Sequence, residues 1–182
     1  MAVDSVRKEV ADRLPLWNKI RDTVQSLVKD RGDVYLPRPN AADKSKENQA
    51  RYDNYLQRAV FYNVAGRTLN GLIGQVFQKD MTVDIPDAMD LVSVDADGSG
   101  VSLEQHSRKT LSRVLSFGRG GLFTDYPSVD GATTKAQLMS GNIRPVILGY
   151  DPDSIINWRT RTIGAKVMLS LVVLSETYEE SD

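Results

Sequence analysis

The feature that most constrains the fold is the stretch 51–79, RYDNYLQRAVFYNVAGRTLNGLIGQVFQK, the longest run in the chain with a helical apolar repeat. Tyr52, Tyr55, Leu56, Ala59, Val60 and Val64 recur at steps of three and four, and Leu69, Leu72, Ile73, Val76 and Phe77 carry the stripe on after a small rotation. The pattern predicts one central helix, roughly 43 Å long at about 1.5 Å per residue, with one face turned to a core. A helix of that length exceeds the needs of one small domain, so part of it is expected to serve a neighbour. Gly66, Gly71 and Gly74 each cost about 1 kcal/mol against Ala inside a helix, which points to a kink or to close backbone approach.

Upstream, Val3, Val6, Val10, Trp17, Ile20, Val24 and Leu27 follow spacings of three and four, the seam of a helix that packs on another helix. Pro15 cannot lie inside a continuous helix without losing a hydrogen bond and clashing with the preceding turn, so the seam divides into helices near 4–13 and 15–30, the second ended by Gly32. The seam serves intramolecular packing or contact with a neighbouring subunit. This gives an N-terminal helical arm, 1–34, followed by an α+β domain, 35–182. YLPRPN at 35–40 is an extended strap, and 41–49 is polar and loose.

Beyond the central helix, 81–86 is extended and 88–94 forms a helical turn closing an acidic patch. In VDADGSGVSLEQH, Asp95, Asp97, Ser99 and Gly100 match the first half of a calcium loop. The second half fails, because His106 stands where a bidentate glutamate is required. Ser102 and Gln105 instead read as a capping box opening a helix over 103–116, stopped by Gly118. The glycines around Arg119 follow a helix and precede a strand, the reverse of a phosphate-binding loop. GLFTDYP is a strand, 128–140 a polar excursion, IRPVILGY a second strand, and DPDS a turn. Ile155 to Trp158 is a short apolar element. Next to it, Arg159 and Arg161 form a candidate nucleic-acid contact, although packing of Trp158 beneath an arginine, with Asp151 or Asp153 as counter-charge, explains the same residues. Residues 166–176, KVMLSLVVLSE, are the strongest strand. One alternating set is Val167, Leu169, Leu171 and Val173, the other Met168, Ser170, Val172 and Leu174, so both faces are apolar and both want cover.

Composition excludes several functions. With no cysteine and one histidine, neither a thiolate site nor a two-histidine metal site is possible, and no metal or cofactor is expected. The chain has no GxSxG, HExxH, GxxxxGK[ST] or strand-borne GxGxxG motif, and His106 is expected on a polar helix surface, so no enzyme is indicated. No apolar run long enough to span a membrane occurs, and an intracellular product is expected. A net charge of -1 argues against a general nucleic-acid coat, although residues 1–70 carry 13 Lys+Arg against 9 Asp+Glu and the remainder 10 against 15.

Several long motifs in fixed order, YLPRP, the whole of 51–80, VDADGSGVSLEQHSRKTLSRVLSFGRGGLFTDYP and RPVILGYDPDSIINW, resemble the N-terminal part of a tailed-bacteriophage portal protein. The resemblance covers roughly 35–175 and implies an α+β wing domain: N-terminal helices, one long central helix, a shorter second helix and a small, mostly antiparallel sheet. It also implies a non-catalytic subunit of a ring, commonly of twelve, at one capsid vertex of the virion, assembled in the host cytoplasm. Its partners would be copies of itself, the capsid protein, the terminase motor, head-completion and tail adaptor proteins, and double-stranded DNA passing through the channel. Portal proteins of this kind are usually more than twice as long, with stem and clip regions after the wing, so no channel-lining or motor-binding residue is carried over. The alternatives are a stand-alone oligomeric scaffold or adaptor domain sharing the wing fold, and a nucleic-acid-binding module using the basic N-terminal half.

Overall fold

The computed structural model describes residues 3–126 and 143–177, and the polar excursion expected at 128–140 lies outside them. The class is α+β, with helices first and two antiparallel hairpins after them. Helix α1 (Lys8–Ala11) is a single turn, and α2 (Leu14–Val24) follows with Pro15 in its first turn, where the missing amide is harmless. Helix α2 ends well before residue 30. Ser26 takes a left-handed conformation (φ 62°), and the Leu27 amide closes back on the Asp22 carbonyl at 2.7 Å, a Schellman-like stop that Ser makes without glycine.

The single central helix expected over 51–79 is two helices. Helix α3 (Lys46–Arg58) starts upstream of residue 51, where Ser45 caps it by accepting the Asn48 amide; α4 (Val64–Val76) follows after an extended break at Ala59. Asn63 makes the break. Its Oδ1 accepts the Gly66 amide at 2.7 Å, while its Nδ2 donates to the Val24 carbonyl and to Ser26 Oγ, both at 2.8 Å. One side chain therefore caps α4 and ties it to the end of α2. Gly66 is needed there, because a Cβ would lie 2.6 Å from the Asn63 amide; Gly71 and Gly74 face open space and mark no close approach.

After a 3-10 turn (Asp87–Met89), the short α5 (Asp90–Val94) packs on α6 (Leu103–Phe117). Ser102 and Gln105 form the expected capping box, and Gly118 ends α6 with φ 69°. Helices α2, α4 and α6 pack on one another. Strand β1 (Gly121–Asp125) pairs with β2 (Val146–Tyr150), and β3 (Ile155–Ile163) pairs with β4 (Lys166–Leu174) through a tight turn at Gly164, where φ is 61°. The sheet expected as one is thus two separate two-stranded ribbons, and β3 runs well beyond Trp158.

The core is thin. Among the described residues the buried apolar side chains are Val10, Trp17, Tyr52, Leu69, Val92 and Ala96, while many large apolar side chains on α4 and the hairpins stay exposed. Polar ties hold the layers together. The Arg7 amide donates to the Ile156 carbonyl at 2.9 Å, Asn157 Nδ2 to the Val3 carbonyl at 3.1 Å, Arg21 pairs with Asp153 at 2.9 Å, and Arg113 with Asp151 at 2.6 Å.

Candidate assembly surface

The β3–β4 hairpin carries two irregularities that decide its chemistry. Leu169 stands opposite Thr160 and Leu171 opposite Arg159, so Ser170 is an extra residue in β4, its hydroxyl donating to the Arg159 carbonyl at 3.2 Å. A second extra residue, Ile156, lies between Ile155 (opposite Leu174) and Asn157 (opposite Val173). Cross-strand partners share a face, so the bulges re-sort the strand. Val167, Leu169, Val172 and Leu174 join Ile155 and Trp158 on one face, while Met168, Leu171 and Val173 share the other with Arg159 and Arg161. This overturns the simple alternation of the sequence. One face is apolar apart from Thr160 and Thr162; the opposite one mixes apolar and basic groups.

The apolar face opens onto a groove of about 600 Å³ closed at one side by the first hairpin, through Leu122, Phe123 and Tyr150. Gly121 lets the hairpins approach, since a Cβ there would meet Ile155 at 2.8 Å. None of the described residues fills the groove: Leu169 is 64% exposed and Leu122 58%. The N-terminal arm binds to the edge of β3 at Ile156 and Asn157.

At the rim sits a ladder of arginines and tryptophans. Trp158 meets Arg7, at 4.3 Å from the ring centre, and Arg119, at 4.5 Å; Arg119 also faces Trp17 at 5.9 Å. Trp158 does pack beneath arginine, but the arginines come from the arm and from the turn after α6. Asp151 and Asp153 pair with Arg113 and Arg21 instead. Arg119 donates to the Ile155 carbonyl at 3.2 Å and makes no ion pair among the described residues. Burial first, and the nearby Arg7 charge second, lower its pKa from the ordinary value.

The other sequence candidates fall as follows. Val10 and Trp17 are buried in the chain, Ile20, Val24 and Leu27 are half-buried, and Val3 and Val6 remain exposed, so the seam is mostly used internally. Arg159 and Arg161 are exposed on the face opposite the groove. Asp95 accepts the Gly98 and Gly100 amides at 2.9 and 3.0 Å and pairs with Arg144, and Asp97 accepts the Ser99 amide at 2.9 Å. Burial works against ionisation of Asp95, but the Gly100 amide and the Arg144 charge outweigh it and hold the carboxyl below its usual range. The loop is folded around its own carboxylates. His106, expected at the surface, is buried at 5% exposure, its Nε2 without a partner among the described residues, in a small pocket that Leu148 and Gly149 of β2 also line. The groove itself was missed in the sequence, because it depends on the two bulges.

No protein-family model matches the chain, and no curated protein matches it. Among the described residues no helix is long and apolar enough to cross a membrane, and no cluster of three or more His, Asp or Glu residues is placed to hold a metal ion.

Proposed function

We propose that the chain is a structural subunit that assembles side by side with copies of itself, as the wing part of a phage portal ring at the capsid vertex. The observation that carries this reading is the open apolar face of β3–β4, with Val167 70% and Leu169 64% exposed over a thin core. Exposed apolar surface of this kind is the mark of an interaction site on a stable protein. The ordered run of motifs that resembles portal proteins supplies the kind of assembly. In this reading the subunit is a wall element without catalytic chemistry, and the terminase motor, capsid protein and tail adaptors meet the ring. Negative-stain imaging of the purified chain tests it: closed rings support the portal reading, and a uniform field of monomer-sized particles contradicts it.

A nucleic-acid contact is a second reading. Arg159, Arg161 and Lys166 share the face opposite the groove, and none makes an ion pair among the described residues. Binding to double-stranded DNA that weakens steeply with salt would support it, and Arg159→Ala with Arg161→Ala should then reduce the salt slope.

A further inference from the structure

We infer that the groove between the two hairpins receives the acidic, apolar knob formed by Asp87–Met89 and Asp90–Val94 of a second copy of this chain. The inference rests on the ring-subunit reading and names the contact. On the knob, Val92 is buried against its own chain at 6% exposure, while Met89, Leu91 and Val94 point away from it at 42, 48 and 71%. Asp87 and Asp90 flank these side chains, exposed and with no side-chain partner among the described residues. The 3-10 turn and short helix therefore present three apolar groups bordered by two carboxylates, a surface that none of the described residues covers.

The groove is its complement. Its wall is apolar, its volume of about 600 Å³ is within the range of roughly 300–1,000 Å³ that seats compact ligands, and the cation that lines it, Arg119, pairs with no carboxylate among the described residues. Arg119 places one donor on the Ile155 carbonyl, which leaves the remaining guanidinium N–H groups for an incoming carboxylate. None of the residues lining the groove comes from the knob, so within one chain the two surfaces do not meet. The contact joins different patches on two copies. Such a head-to-tail interface closes into a ring when its rotation closes and otherwise extends as a filament, which is the geometry a ring subunit requires.

Two variants test this. Leu91→Glu disables the knob and Leu169→Glu the groove; both positions are exposed, and unchanged circular dichroism and melting confirm the fold. Multi-angle light scattering of each variant alone is expected to show the concentration needed for assembly raised by about tenfold or more, as loss of a central contact does. Mixing the two in equal amounts leaves one intact knob facing one intact groove, so a 1:1 dimer that grows no further is expected. Rings formed equally well by both single variants would overturn the inference while leaving the ring reading standing. Filaments in the parent chain, with a 1:1 dimer in the mixture, would uphold the inference and overturn the ring reading. A mixture that stays monomeric, or a parent chain monomeric at every concentration, would overturn the inference.

Discussion

Replacing Arg119 by methionine removes a charge from the ladder and keeps an unbranched apolar stem in its place. The contact with Trp158 at 4.5 Å is worth about 1 kcal/mol in a partly desolvated setting, and the one with Trp17 at 5.9 Å, near the ~6 Å limit, a few tenths. The hydrogen bond to the Ile155 carbonyl, from a charged donor, adds about 1 kcal/mol. Against these stands relief of the repulsion between Arg119 and Arg7, which both stack on Trp158. The net expectation is a loss of about 1.5 kcal/mol, or roughly 3–6 °C in Tm for a chain of this size. Urea unfolding followed by tryptophan fluorescence measures it, and a double-mutant cycle with Trp158→Leu should give a coupling of about 1 kcal/mol. A variant as stable as the parent, or a cycle without coupling, would refute the ladder as the joint between the arm, α6 and the second hairpin.

Ser102→Ala should lower stability by about 1 kcal/mol through loss of the α6 cap, read as a shift in the urea midpoint at unchanged slope. Burial first, and the Asp33 carboxylate second, push the Tyr52 hydroxyl up to about 12. Because its folded pKa exceeds the unfolded value of about 10, its contribution is whole below pH 10 and is lost as pH climbs towards 12. Tyr52→Phe should remove that part of the alkaline loss, and stability titrated over this window checks it. Calorimetry should show no calcium binding at the Asp95 loop tighter than about 10⁻⁴ M, since its carboxylates already hold amides and Arg144.

Residues whose effect is local were legible in the sequence. Ser102, Gln105 and Gly118 set the ends of α6 through contacts within a few positions, and the apolar runs at 121–125, 146–150 and 166–174 became strands. The break in the long apolar stripe was not legible, because Asn63 acts through Val24 and Ser26, some forty residues away in sequence. An apolar period also cannot register an extra residue, so the bulges at Ile156 and Ser170, which create the groove's single apolar face, left no trace in the alternation. His106 looked solvated among polar neighbours on its helix; β2 is what covers it.

Native mass spectrometry of the purified chain tests the central claim most directly. A narrow population at one fixed multiple of the 20.2 kDa chain is expected, giving way to the single-chain mass when Leu169 is changed to glutamate. A parent chain that flies as a single copy at every concentration, and binds no hydrophobic dye, would contradict it.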